Sequence, residues 1–346
     1  MTELPAVHRQ VVLAARPDGV PQAEHFAVVE APIRAPQPGE VLVRNEFCSV
    51  DPAMRGWVGA VANYSEPVAI GAVMRATAVG VVVESRTPLY SPGDRVLGWF
   101  GWQELATVAA TAVERRVDLG ELSPSLALGV LGMTGGTAYF ALTEIGRPRV
   151  GDTVVVSTAA GAVGSVAGQL ARLAGCRTVG IAGGTEKVRI CTEEFGYDVA
   201  LDHRSPTLAA DLAADCPDGV DVFFDNTSGP IADAVMPLLA QHARVVVCGT
   251  ASIASWDPWP TGPLVTRHLL TKRARMEGFI WFDHAHRIDE ALARLVPLVR
   301  SGALRHREEV LDGLDAAPDA IAGLYRGENL GKRVIRVRPL SSPASG

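Results

Sequence analysis

Cysteine is scarce in this chain, and what there is does not form a pattern. Cys48, Cys176, Cys191, Cys216 and Cys248 are scattered, odd in number and never spaced as CxxC, which fits reduced thiols in a cytoplasm, mostly as core fillers. No long basic run occurs and the net charge is −6, which argues against nucleic acid as the main partner. No amino-terminal stretch combines a basic start, an apolar core and a small-residue cleavage site, so secretion is not expected. The longest uncharged run, Thr153 to Ala171, is long enough to tempt a transmembrane reading. It is full of Gly, Ala, Ser and Thr and contains a glycine turn, so a buried strand and helix is the better reading, and no membrane partner is expected. There is no G-x-S-x-G elbow and no P-loop. Nothing repeats beyond a βα period, and no low-complexity linker separates domains.

What is present describes an ordinary globular protein. With 346 residues the chain should hold about two domains. From its start to about Gly120 it reads as short Val-rich strands: Gln10 to Ala14, His25 to Glu30, Glu40 to Phe47, Ala76 to Glu84, Arg95 to Gly98 and Trp102 to Val108. Turn formers such as Pro36-Gln37-Pro38-Gly39 and Ser91-Pro92-Gly93-Asp94 separate them, which suggests a partly open barrel. A helical patch from Pro124 to Ile145 follows. Apolar strands then begin near Thr153, Arg177, Asp198, Val220 and Arg244, with helical segments between them. Repeated βα units imply a parallel sheet covered on both faces. Arg275 to Phe282 reads as a sixth strand, His286 to Arg300 as an amphipathic helix and Arg333 to Arg338 as a closing strand.

The organising stretch is Asp152 to Lys187. Thr153 to Val156 is a β-branched strand, Ala160-Gly161-Ala162-Val163-Gly164-Ser165 has almost no side-chain bulk, and Val163 to Ala174 has helical spacing. A dinucleotide site needs backbone close to a pyrophosphate and a helix amino terminus aimed at its charge. Gly161 permits that approach and Gly164 permits close packing of helix on strand. Ala159 occupies the first fingerprint position, so the pattern is A-x-G-x-x-G, and such a turn alone can be only a tight turn. NAD sites usually carry an acid about 20 residues past the turn, on the ribose 2′-hydroxyl. Here the second strand runs into Gly183-Gly184-Thr185, Glu186 comes late, and Lys187 follows at once. A missing acid with a nearby cation favours a 2′-phosphate, hence NADP(H), although Lys187 could equally be a solvated surface lysine.

Zinc finds little support. Cys48-Ser49-Val50-Asp51 resembles the segment that carries the first catalytic cysteine of zinc alcohol dehydrogenases. Where those enzymes have Gly-His-Glu, this chain has Gly71-Ala72-Val73, and a catalytic zinc wants three protein ligands. No metal is expected. The eight histidines are mostly charge-flanked and read as exposed. His203 differs because it closes the third strand, and carboxyl ends of strands in an open parallel sheet face the ligand crevice. Asp225-Asn226-Thr227-Ser228-Gly229 ends the fourth strand and Cys248-Gly249-Thr250 the fifth. Each is either a cofactor contact or a solvated turn.

The chain resembles the zinc-independent medium-chain dehydrogenase/reductases of the leukotriene B4 dehydrogenase, prostaglandin reductase and double-bond reductase group. The resemblance runs through Ser49-Val50-Asp51-Pro52, Met54-Arg55-Gly56, Ile70-Gly71 to Met74-Arg75, Gly132-Met133-Thr134-Gly135, Gly184 to Lys187, Leu270-Thr271-Lys272-Arg273 and Gly327-Glu328-Asn329 before Gly331-Lys332. It implies an α/β fold: a doubly wound parallel Rossmann sheet, expected at 132–302, plus a GroES-like, partly open β-barrel built from 1–131 and 303–346. It also implies a homodimer through the cofactor domains. Pyrophosphate contacts fall on Gly161, Ala162, Val163 and Gly164, and a 2′-phosphate contact falls on Lys187. Asn226, Cys248, Gly249, Thr250, Phe279, Ile280, Trp281 and Asn329 would hold ribose and nicotinamide. The group usually has Tyr where this chain has His203, which keeps a hydrogen bond and adds charge when protonated.

Two substrate-side tyrosines of the group fall on Ala53 and Ala254. Tyr64 serves either the pocket or packing. The implied reaction is hydride transfer from NADPH to the β-carbon of an α,β-unsaturated ketone or aldehyde, with positioning and oxyanion stabilisation as the catalytic means. The resemblance assigns no protein acid. The lost tyrosines keep a quinone or specialised biosynthetic reductase open, and a non-enzymatic NADP(H)-binding redox sensor is the third reading.

Overall fold

Val154, Val155 and Val156 are fully buried, and the strand they form is central to the molecule's six-stranded sheet. The computed structural model describes residues 5–60, 64–253, 255, 256 and 258–337. They fall into two units, Gly129–Arg307 with Leu330–Lys332, and Met1–Leu128 with Glu308–Asn329 and Arg333–Gly346.

In the first unit six strands run parallel: β1 Thr153–Ser157, β2 Arg177–Ala182, β3 Val199–Asp202, β4 Val220–Asp225, β5 Leu239–Val247 and β6 Arg275–Gly278. Their order in the sheet is β3-β2-β1-β4-β5-β6, so connections leave β1 in opposite directions and open a switch point at its carboxyl end. The helices are α1 Met133–Phe140, α2 Ala162–Leu173, α3 Thr185–Glu193, α4 Leu208–Asp215, α5 Gly229–Val235, α6 Thr266–Lys272 and α7 Ile288–Arg300. Val155, Val179, Phe223 and Val245 pack with Leu212 and Val235 in one core. Val154, Val156, Phe224 and Val246 are buried as well, so the central strands are covered on both faces.

Three elements differ from the sequence reading. β5 begins at Leu239 rather than near Arg244, because its first half carries the polar pair Gln241-His242, with His242 at φ 64, and the pairing with β4 shifts between Val220 and Val222. β6 stops at Gly278 and Phe279 to Phe282 lie outside it. The patch from Pro124 to Ile145 breaks into a 3-10 turn at Pro124–Leu128, α1, and a π-helical turn at Ala141–Gly146.

The second unit is mostly antiparallel, with Glu308–Asp312 and Lys332–Arg336 running the same way. Val7–Leu13 pairs with Phe26–Pro32, and a separate seven-stranded sheet follows the path Glu308–Asp312, Lys332–Arg336, Glu40–Ser49, Ala78–Ser85, Arg95–Gly98 and Val113–Arg116, with Leu105–Ala109 on Glu40–Ser49. Its core gathers Val11, Leu13, Val41, Met54, Trp57, Met74, Trp102, Ile321 and Ile335. His8 corrects the expectation of exposed histidines. It is 6% exposed, its ring Nδ1 lies 3.4 Å from the Leu105 amide, and burial lowers its imidazole below the usual 6.5. Among the described residues no helix is long and apolar enough to cross a membrane.

Candidate cofactor site

The turn after β1 is built from small residues because nothing larger fits. Thr158 takes φ 54, which a β-branched residue rarely adopts, and its carbonyl accepts the Gly161 amide at 2.8 Å. A Cβ on Gly164 would stand 2.3 Å from that same carbonyl oxygen, and one on Gly161 would stand 2.9 Å from the Thr158 methyl. Gly161 is the N-cap of α2, with Ala162, Val163 and Gly164 as its first turn. Their amides precede the intrahelical ladder, which begins with Ser165 on Gly161 at 2.9 Å, and they form a concave donor set for an anion. The four sequence-picked residues are thus one helix start.

Tyr197 fixes how that helix sits. Its hydroxyl donates to the Gly164 carbonyl at 2.7 Å. Its ring lies where a Cβ on Gly168 would meet Cζ at 2.0 Å, and one on Gly180 of β2 would meet Cδ1 at 3.1 Å. Burial pushes the phenol well above 10, so it acts as a donor. Sequence reasoning passed over Tyr197, although the x₃ spacing of Gly164 and Gly168 hints at a large neighbour.

The carboxyl ends of β2 and β3 carry the charge. Gly184 is the N-cap of α3 with φ 89, and Lys187 lies in that helix's first turn. Asp202, the last residue of β3, accepts the Gly184 and Arg204 amides, both at 2.9 Å. The acid missing after β2 is therefore supplied from β3, where it braces the turn. His203 places Nε2 within 2.7 Å of where a Gly183 Cβ would be, so a larger residue there would displace the imidazole. Burial lowers the His203 imidazole below 6.5, and the nearby Arg204 and Lys187 cations add to this against Asp202. At neutral pH His203 is a hydrogen-bonding group, and the positive charge resides on Lys187 and Arg204.

The ends of β4 and β5 are tied to β1. Asn226 donates from its backbone to the Ser157 hydroxyl and from Nδ2 to the Ser157 carbonyl, both at 2.7 Å. Asp225, 2% exposed, accepts from Ser157 Oγ and from the Thr227 and Ser228 amides, while burial raises its carboxyl above the usual range. The Cys248 and Gly249 amides donate to the Asp225 carbonyl at 2.8 and 3.1 Å, and Thr250 follows them. Burial pushes the Cys248 thiol up to about 12. Beyond β6, Phe279 is buried while Ile280 is 37% exposed, and Trp281 lies against Gly136 of α1. His284 stacks on Phe279 with ring centroids 4.7 Å apart, and Glu144 holds both His284 and Arg287.

The structure thus gathers Gly161 to Gly164, Asn226 and Cys248 to Thr250 around the carboxyl ends of β1, β4 and β5, with Lys187 and His203 beyond β2 and β3. Asn329, Ala53 and Tyr64 belong to the other unit. Ala53 precedes the short helix Met54–Trp57 and packs on that unit's core, and Tyr64 is 50% exposed. Ala254 lies outside the described residues. Cys48 is fully buried, donates to the Gly101 carbonyl and is pushed up to about 12 by burial. Among the described residues no group of three or more His, Cys, Asp or Glu side chains could hold a metal ion.

A parallel sheet in this order, with a glycine-cradled helix start at its switch point, defines a dinucleotide-binding oxidoreductase scaffold. Comparison with known proteins agrees. Residues 9–115 match the family model described as N-terminal domain of oxidoreductase, and residues 162–297 match that described as Zinc-binding dehydrogenase. The NADPH-dependent curcumin reductase of Escherichia coli (strain K12) is 44% identical over 95% of this chain and 97% of its own. The 2-alkenal reductase (NADP(+)-dependent) of Nicotiana tabacum is 35% identical over 95% and 97%. The crystal structure of CurA from Vibrio vulnificus, also solved in complex with NADPH, superposes with a TM-score of 0.90 at 41% identity, covering 96% of this chain and 99% of that one. The chain belongs to the zinc-independent double-bond reductase group of the medium-chain dehydrogenase/reductase family.

Proposed function

We propose that the chain is an NADPH-dependent reductase of the carbon–carbon double bond of α,β-unsaturated ketones and aldehydes. The observation that carries this reading is the fit of the cofactor cradle. Glycines at 161 and 164 let the turn close tightly on Thr158 and start the helix whose free amides would meet a pyrophosphate. At the Gly183-Gly184 turn, where an adenosine ribose would end, the acid Asp202 has an oxygen taken up by backbone amides while His203, Arg204 and Lys187 stand around it. Similarity over nearly the whole length to reductases named for curcumin and alkenals supplies the reaction class. When bound, NADPH supplies the hydride. The chain's own part is to hold it: amides of the α2 start on the pyrophosphate, Lys187 and His203 on the 2′-phosphate, and Asn226, braced on Ser157, with Cys248 to Thr250, Phe279 to Trp281 and Asn329 toward the ribose and nicotinamide. No step requires a metal, and the buried protonated thiol of Cys48 is a poor ligand.

A quinone or bulky-acceptor preference is favoured by one feature, the methyl group of Ala53 where the group usually carries a tyrosine hydroxyl. A cytoplasmic homodimer completes the proposal. The five cysteines are free, and β6 is an edge strand whose four residues are all exposed. The deciding experiment follows NADPH consumption over a panel of enones, enals and quinones. Enone-dependent oxidation is expected. Faster turnover of quinones would favour the second reading, and cofactor binding without turnover of any acceptor would leave a sensor.

A further inference from the structure

Arg204 was not singled out by the sequence. Several surface arginines pair with carboxylates, as Arg34 does with Glu40, Arg95 with Glu46 and Arg116 with Asp94. Among the described residues the Arg204 guanidinium has no such ion pair; only its backbone amide is bonded, to Asp202. The side chain instead folds back over the turn after β2. A Cβ on Gly184 would lie 3.3 Å from its Nη1, and one on Gly183 would lie 3.5 Å from its Nε. The same turn has His203 Nε2 against Gly183 and starts the helix that carries Lys187. His203 and Arg204 both lie against Gly183, and the Arg204 and Lys187 charges both lower the proton affinity of His203. Asp202 offsets part of this charge, but its Oδ1 is committed to two backbone amides.

Gathering like charges around one turn costs free energy that a bound anion would offset. We infer that Arg204 is a specificity-determining residue of this protein: its guanidinium closes over the Gly183-Gly184 turn and grips the 2′-phosphate of NADPH opposite Lys187. The inference rests on the proposed use of NADPH and deepens it, since it makes arginine rather than histidine the second permanent charge of the subsite. Arginine suits the task because its planar fork presents two parallel donors to phosphate oxygens. It stays charged at any pH at which the protein is folded, whereas His203 does not.

The test uses two fragments that differ only in the group in question, 2′,5′-ADP and 5′-ADP, titrated calorimetrically into the purified full chain and its variants. The wild-type protein should prefer 2′,5′-ADP. Arg204→Ala should weaken 2′,5′-ADP about 10-fold or more and change 5′-ADP by less than about twofold. Arg204→Lys should recover part of the loss, since it restores charge without the fork. An equal loss for both fragments would make Arg204 structural and overturn the inference. Unchanged 2′,5′-ADP binding in Arg204→Ala, with a loss in Lys187→Ala, would overturn it while leaving the NADPH reading intact. A wild-type protein that does not distinguish the fragments would overturn both.

Discussion

At the scale of single residues, charge at the adenosine end of the site is divided between groups that titrate and groups that do not. His203 sits below its ordinary 6.5, through burial first and the Arg204 and Lys187 charges second. Its protonated form adds a positive charge, so the preference for NADPH over NADH should fall as pH rises. The fall should be centred below pH 6.5, leaving a preference in the neutral range set mainly by Lys187 and Arg204. The 2′-phosphate itself titrates near pH 6 and acts in the opposite direction, which makes His203→Phe the necessary control. The measurement is the ratio of kcat/KM for the two cofactors between pH 5 and 8. A preference that declines through pH 7 to 8 in the wild-type protein and not in His203→Phe would mean the imidazole is not depressed. Residues of this kind are half legible in a sequence. Lys187 stands out because it follows a glycine turn without an acid. Arg204 does not, because its proximity to Gly183 arises from two parallel strands meeting side by side, and no spacing along the chain encodes that.

At the scale of elements, the pattern of βα units was readable because each central strand is buried on both faces and so becomes a short, uninterrupted apolar run. The expected starts of β1, β2, β3 and β4 agree with the structure to within a residue. β5 was hidden where Gln241 and His242 interrupt the run, and the π-helical turn after α1 had no signal in composition. Least legible was the seating of α2 on the sheet. Tyr197, 4% exposed, fills the space left by Gly168 and reaches the Gly164 carbonyl. Gly168→Ala sets two effects against each other. Alanine is the better helix former by about 1 kcal/mol, but its methyl would overlap the buried Tyr197 ring, and overpacking of this kind costs roughly 1–3 kcal/mol. With Cζ only 2.0 Å from the new Cβ the steric cost should win, leaving a net destabilisation of about 1–2 kcal/mol. Tyr197→Phe should cost about 1 kcal/mol for the lost hydrogen bond. Urea unfolding of the three proteins would decide it, and a Gly168→Ala variant as stable as the wild type would show that Tyr197 does not lie where described.

At the scale of the whole molecule, the chain's ends and middle form different kinds of sheet, and that division was visible as a change from turn-separated Val-rich runs to regular βα alternation near Thr153. What the pattern could not reveal is which sheet edge is left bare. In the first unit β3 and β6 are the two edges. All four residues of β6 are exposed, Met276 at 39%. Nearby in sequence, Leu270 is 78% exposed, Leu264 82% and Trp259 75%. An edge strand with unpaired amides and carbonyls beside exposed apolar side chains is a liability in a monomer. It is self-complementary about a two-fold axis, which is the commonest way for two copies to cover it. The wild-type protein should therefore sediment at twice the mass of one chain. The double substitution Leu270→Glu with Met276→Glu places like charges on both sides of the two-fold and should give monomers that keep their circular dichroism, since neither side chain is part of the core. If the substituted protein remains a dimer at micromolar concentration, the pairing uses another surface; if the wild-type protein is itself monomeric, the bare edge must be covered in some other way.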